Sequence, residues 1–325
     1  MARERLVYMD VAKCIAIFLV CTGHAYFLSP LGNSSKPCAW IYSFHMPLFM
    51  LLCGFFSLNS FKLPPKEFLL KKCKALLLPV LSFTLLSCIF YLIMNVPNLS
   101  TVCKSELIGS MWFLRTLFFC YVIVYAIKRT RLPNWLCCLV SCLALMAIPK
   151  GSFLQTNYLL LFFWTGYFMN KYKDLYYKYR LYVTVVALIV YMLWGRTATP
   201  EVLGYDLLSN LMAVPKQYIT ALTLSLELIG VVYYFLRLSS LSFLVRRMSN
   251  IGQYTLGIYG VQTILLERIS YSFLHGKIMF FDTTVTDYVL IPVIGIIYCL
   301  ISYQIVRLTK RWKICNLALY GNQYH

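Results

Sequence analysis

Acidic side chains are scarce in this chain. Asp and Glu number 11 against 30 Lys and Arg, and only 13% of the residues are charged. A soluble domain of 325 residues needs a largely polar surface, which a sequence that is 60% hydrophobic and 17% aromatic cannot supply. Also missing are a CxxC pair, an internal repeat, a low-complexity tract and an interdomain linker. Their absence leaves no sequence basis for a metal centre or a repeat architecture, and it weakens the case for an inverted-repeat carrier. Loops are short, the longest being the outer segment from Arg196 to Gln217. Residues 1–325 therefore read as one membrane-embedded domain without a separate soluble catalytic domain, and any chemistry must use the membrane helices themselves.

What the chain has in abundance is apolar runs long enough to cross roughly 30 Å of hydrocarbon. They fall near Val7–Phe27, Trp40–Leu58, Ala75–Val96, Met111–Ile127, Trp135–Ile148, Phe153–Met169, Leu181–Gly195, Tyr218–Leu236, Tyr254–Leu274 and Tyr288–Leu308. The expected fold is an all-α polytopic membrane bundle of about ten transmembrane helices with both termini on one side. The formal charge of +19 follows the same plan. With cytoplasmic termini, the inner segments hold Arg3, Arg5, the Lys62–Lys74 group, Lys128, Arg129, Arg131, Lys171–Arg180, Arg237, Arg246, Arg247 and Arg307–Lys313. The outer segments hold far fewer cations: Lys36, Lys104, Lys150, Arg196, Lys216, Arg268 and Lys277. This alternation is the positive-inside pattern of a cell-membrane protein, so the charge needs no nucleic-acid partner.

The first span follows Arg3 and Arg5 as a signal peptide would. Its apolar run is interrupted by Asp10 and Lys13 and lacks a small-residue cleavage site, so it reads as retained. The Tyr172–Arg180 stretch and the Lys310–Lys313 segment interleave aromatics with bases and read as membrane-interface belts. Most span cysteines act as small hydrophobes. Only Cys38 and Cys103 fall at the outer surface, where a disulfide between them is open in an oxidising compartment.

Ionisable residues inside spans are costly and usually functional. The first span carries Asp10, Lys13 and His24. On an ideal helix Lys13 and His24 lie about 20° apart around the axis and roughly 16 Å apart along it. His24 is reached after about 24 Å of helix from the cytoplasm, whereas His45 and Arg115 lie roughly 10 Å and 6 Å in from the outside. All three fall in the outer third of the bilayer. An imidazole there can act as a general base, and an arginine can stabilise an oxyanion, clamp a substrate or simply snorkel to the surface. Pro47 breaks a helical hydrogen bond just below His45, a loosening often found around a cavity. Glu227 sits mid-span without an adjacent cation and needs an interhelical partner or a proton. Glu267 and Arg268, near an outer end, are expected to be solvated.

Several of these residues sit in motifs that resemble acyltransferase family 3, particularly its fucose 4-O-acetylase-like branch. The motifs are Asp10-Val-Ala-Lys13 with Gly23-His24, Phe44-His45-Met46-Pro47-Leu48-Phe49 with Gly54-Phe55, Lys71-Lys72-Cys-Lys74-Ala-Leu-Leu-Leu-Pro79 and Trp112-Phe113-Leu114. A weaker match continues through Ile251-Gly252 to Ile258-Tyr259. The resemblance implies transfer of an acyl group, usually acetyl from acetyl-CoA, to a hydroxyl of an envelope sugar, with the acyl-CoA as donor substrate and no tightly bound cofactor. It implies His24 as the catalytic histidine, with Asp10 and His45 in catalytic support and Lys13 binding CoA. Arg115, Trp112, Glu227 and Gln262 then serve substrate or oxyanion. Gln262 occupies a place where the family often has histidine, so an amide there binds rather than transfers protons. Expected partners are the bilayer, an envelope carbohydrate or its lipid-linked precursor, and polysaccharide biosynthesis machinery. Two rival readings use the same residues: a transporter or flippase with a His, Lys and Glu path, and a non-catalytic partner of a polysaccharide synthase.

Overall fold

The computed structural model describes residues 6–130, 132–147, 155–194, 207–238, 242–278 and 283–322. Arg3, Arg5, Arg131, Lys150 and residues 196–206, which carry part of the expected charge asymmetry, lie outside them. Among the described residues the chain is helical without a strand. Helices α1 (Val7–Ala25) and α2 (Lys36–Phe55) lead into α3 (Pro65–Lys72), a π-helical turn at Cys73–Leu77 and α4 (Leu78–Ile93). Then follow α5 (Leu99–Gly109), α6 (Trp112–Ile127), α7 (Asn134–Met146), α8 (Thr156–Lys171), α9 (Lys173–Trp194) and α10 (Leu207–Leu238). After α11 (Ser242–Ile251) and α12 (Thr255–Gln262), a π-helical stretch spans Thr263–Ser270 before α13 (Tyr271–Leu274). The chain continues through α14 (Thr283–Val285), a third π-helical turn at Thr286–Leu290, α15 (Ile291–Thr309) and α16 (Lys313–Tyr320).

Where they are described, the expected apolar segments fall mainly on these helices, and Ile148, Phe153, Leu154 and Gly195 lie outside the described residues. Among the described residues, 5 continuous stretches can cross a membrane by length and composition: Val7–Leu28, Lys36–Phe55, Pro65–Ile93, Val214–Arg237 and Thr283–Thr309. The pair α5 and α6, bent by 42°, gives a sixth if it counts as one span. The bend falls at Met111, whose left-handed backbone (φ 50°) interrupts the helix. The other expected spans lie on shorter or more polar helices. Helix α7 has 13 residues, or about 20 Å of rise, and α9 opens on the charged Lys173-Asp174 pair.

The chain divides into two compact units. The first comprises Met1–Ala16, Ala39–Leu63 and Phe119–Gln253, and the second comprises Ile17–Cys38, Pro64–Phe118 and Tyr254–His325. Within the first, α9 pairs along α10, and α2 meets α8 backbone to backbone. A Cβ at Gly54 would fall 2.0 Å from the Phe163 carbonyl oxygen, and one at Gly166 would fall 1.9 Å from that of Leu51. Small residues permit this approach, which is how helices pack where lipid removes the hydrophobic drive between them. Arg180 of α9 is buried yet has no carboxylate against it among the described residues. Its guanidinium instead lies over the rings of Tyr8, Tyr176, Tyr177 and Tyr233, nearest at 3.7 Å from the Tyr233 centroid.

In the second unit, α12 packs on α15 and α4 on α5. The second half of α1 touches α15 at Gly295, where a Cβ would lie 2.5 Å from the Thr22 Cα, two residues before His24. Helix α16 folds back on α4, with the Ser82 hydroxyl donating to the Ala318 carbonyl at 2.7 Å and Tyr320 fully buried.

Gly166→Val is expected to lower stability by about 1–3 kcal/mol through overpacking of α2 on α8, measured as thermal unfolding in detergent. Gly109→Ala, where nothing lies within 4 Å of the new Cβ, is the matched control and should leave the midpoint unchanged.

Candidate active site

Asp10 and Lys13 fall on one side of α1 by their i,i+3 spacing, and Lys13 Nζ donates to Asp10 Oδ1 at 3.3 Å. The ammonium also sits 4.2 Å from the centroid of the Phe56 ring. Gly252 explains how the late Ile251-Gly252 motif serves this end of the helix. A Cβ there would lie 1.8 Å from the Asp10 carbonyl oxygen, so only glycine lets that backbone reach α1. Beside the pair opens a cavity of 720 Å³ lined by Asp10 and Lys13 together with Phe55, Phe56, Asn59, Asn170, Lys173 and Tyr177, among others. Its size suits a cofactor-sized ligand. Two ammonium groups against one carboxylate, already paired with Lys13, make it basic. Amides and aromatic rings complete a lining that suits a phosphorylated ligand with a planar base.

In the second unit His24 meets a carboxylate. Its Nε2 lies 3.5 Å from Glu267 Oε1, and both side chains are 22% exposed. The same Oε1 accepts from Gln262 Nε2 at 2.9 Å and from the Thr263 hydroxyl at 3.2 Å. The π-helical stretch Thr263–Ser270 accounts for this convergence. Its hydrogen bonds run i to i+5, which brings Gln262 and Glu267 onto one side where an α-helix would spread them. Arg268 Nη1 lies 3.6 Å from Glu267 Oε2, and its Nη2 donates to Glu106 Oε2 at 2.9 Å. The Tyr91 hydroxyl donates to Glu106 Oε1 at 3.2 Å. Glu267 and Arg268 are thus not solvated as their position near a span end suggested. Arg268 is 14% exposed, because carboxylates on two helices enclose its guanidinium.

The remaining expected site residues fall as follows. Gln262 is fully buried and joins the cluster through Glu267, while its Oε1 is buried without a hydrogen-bond partner among the described residues. Arg115 Nη1 donates to the Ile108 carbonyl at 2.8 Å, and its Nε and Nη2 are buried donors without a partner there. This is not the snorkelling geometry of a surface arginine. Trp112 is half-buried with its ring edge-on to Phe113. His45, in the first unit, is buried with its Nδ1–H donated to the Ile41 carbonyl at 2.7 Å and its ring edge-on to Tyr42. Glu227, also in the first unit, does not line the cavity, and its Oε2 is buried without a partner among the described residues.

Cys38 and Cys103 are free thiols, so the disulfide open to them is not formed. Cys38 is buried at the start of α2, whereas Cys103 of α5 has Cys88 of α4 as its hydrogen-bonding neighbour. Sequence reasoning missed the partnership of His24 with Glu267, the supporting Glu106 and Tyr91, and the cavity residues Asn59, Asn170, Lys173 and Tyr177. One usable signal was present: Glu267 follows Gln262 within the expected span Tyr254–Leu274, where an ionisable residue demands partners.

Residues 6–307 match the acyltransferase domain of family 3. A relative among curated proteins is the nodulation protein NolL of Mesorhizobium japonicum, 30% identical over 153 residues. That alignment covers 41% of this chain and 39% of the relative, so the likeness spans well under half of either protein. No solved structure matches. With the family profile extending from the first turn of α1 nearly to the end of α15, and with a histidine paired to a carboxylate inside the helices, the chain belongs to the membrane acyltransferases of acyltransferase family 3.

Proposed function

We propose that this protein is an O-acetyltransferase of the cell membrane, with cytoplasmic termini, that moves acetyl from acetyl-CoA to a hydroxyl of an envelope polysaccharide or its lipid-linked precursor. The observation that carries the reading is the His24–Glu267 pair within a chain of this family. The Glu267 carboxylate lies against the His24 imidazole and favours the positive charge that the ring takes up when it accepts a proton. The His24 imidazole accepts the proton of the acceptor hydroxyl as its oxygen attacks the thioester carbonyl. A C–O bond forms, the tetrahedral intermediate collapses, the C–S bond breaks, and the CoA thiolate takes the proton back from the imidazolium. The unpartnered donors of Arg115 suit the developing oxyanion, and the Gln262 carbonyl and Trp112 ring suit the acceptor sugar.

The basic cavity in the first unit is assigned to the polar end of acetyl-CoA. Lys13 and Lys173 meet its phosphates, while Tyr177 and Phe56 offer faces for the adenine. Asp10 holds Lys13 in place. Lys13 and His24 both belong to α1. His45, tied to the Ile41 carbonyl, is assigned a supporting role in α2, and Glu227 a substrate-side role outside the cavity.

The test follows isotope from labelled acetyl-CoA into envelope glycans of membranes carrying the protein. Label should enter glycan with release of free CoA and should fall about 10²–10⁴-fold in His24→Ala at matched expression. Folded protein that leaves glycans unlabelled with native acceptor present would overturn the acetyl reading. Uptake of solute without consumption of acetyl-CoA would favour a carrier instead. Glu267→Gln should lower turnover on the order of 10²-fold or more, with little change in the donor KM, because it removes the carboxylate that favours the protonated imidazole. Lys13→Ala should raise the donor KM more than it lowers turnover, with substantial rescue in Lys13→Arg, as steady-state kinetics on acetyl-CoA will read directly.

A further inference from the structure

Arg268 stands between two carboxylates, and the second of them comes from a helix that is otherwise mostly exposed. Along α5, Leu107 and Ile108 are 51% and 69% exposed, but the Glu106 side chain is only 10% exposed. It is tied to Arg268 at 2.9 Å and to Tyr91 at 3.2 Å. Helix α5 is bounded by the left-handed Asn98 (φ 56°) and Met111 (φ 50°), so its backbone breaks from the neighbouring elements on either side of this anchor. We propose that Glu106 and Arg268 are positioning residues, forming a Glu106–Arg268–Glu267 relay through which α5 governs how much of the Glu267 charge acts on His24. The proposal rests on the acyltransferase reading.

The relay makes a prediction of sign. Arg268 offsets part of the Glu267 charge, and Glu106 in turn offsets part of Arg268. Without the Arg268 cation, Glu267 acts on the site with its full negative charge, and transfer sets in only at higher pH. Without the Glu106 charge, Arg268 offsets Glu267 more strongly, and transfer sets in at lower pH. Other groups facing the relay are Tyr91 from α4, Arg115 from α6, Tyr259 from α12 and Tyr298 from α15, which meets Ser270 at 2.5 Å. His275 is held apart on the Phe27 carbonyl at 2.8 Å. The substitutions leave these side chains in place, and the Tyr91 hydroxyl keeps an acceptor in the amide oxygen of Glu106→Gln.

The experiment records the pH–rate profile of transfer from labelled acetyl-CoA to envelope glycan in membranes carrying the full chain. Arg268→Met should move the acid limb to higher pH by on the order of one unit, and Glu106→Gln should move it to lower pH by a smaller amount. Arg268→Lys should keep the limb near its original place, and the double variant should follow Arg268→Met alone. Limbs that stay put, or that move the same way in both single variants, would overturn the relay, because a purely structural loss lowers rate without opposite displacements. Should Arg268→Met fail to accumulate folded, the direction of Glu106→Gln alone decides. An inactive unaltered protein would overturn the acyltransferase reading and the relay with it, whereas an active one with unmoved limbs overturns only the relay.

Discussion

A carboxylate buried among packed helices costs several kcal/mol unless donors surround it. Glu267 meets that constraint with donors drawn from several directions. Gln262 arrives from the end of α12, Thr263 from its own π-helical stretch, His24 from α1, and Arg268 from the next residue. The site depends on this satisfaction. Once Glu267 is anchored, the imidazole has an oriented partner, and Arg268 has a second valence of hydrogen bonding to spend on Glu106. A π-helical stretch is less regular than an α-helix, and its presence here is explained by what it brings together.

The first unit solves a different electrostatic problem. Lys13 is balanced by Asp10 and the Phe56 ring, and Arg180 is balanced by tyrosine rings in place of an acid. Acidic residues being few, aromatic faces serve as partners for buried cations, each contact contributing about 0.5–2 kcal/mol. The cavity beside Lys13 thereby keeps a basic character that a full set of carboxylates would have cancelled. Helix α1 carries both the cation of this cavity and the catalytic histidine of the proposed reaction. Glycines at 252 and 295 allow close backbone contacts near Asp10 and near His24 respectively.

Much of the helical fold was legible in the sequence, since apolar runs of span length have few solutions in lipid other than helices. Asp10, Lys13 and His24 stood out for the same reason, being ionisable residues in an apolar run. Gln262 was also legible through its motif, but its role was not, because the hydrogen bond to Glu267 depends on a π-helical register that periodicity does not announce. Glu267 and Arg268 look like solvated residues by their depth alone. Burial of a span end is set by what neighbouring helices lay over it, and that is a tertiary matter. Cys103 illustrates the same limit, as its thiol neighbour is Cys88 across α4 and α5 and not the Cys38 suggested by topology.

The sequence by itself determined the helical character, the apolar segments, the bias of cations and the chemistry available on α1, because each follows from local composition and helix period. The tertiary structure decided which acid serves His24, which lysine joins Lys13 around a cavity, and that Glu106 reaches the site from α5. Those outcomes turn on a few ångströms of side-chain approach between helices distant in the chain, and local periodicity carries no information about such distances.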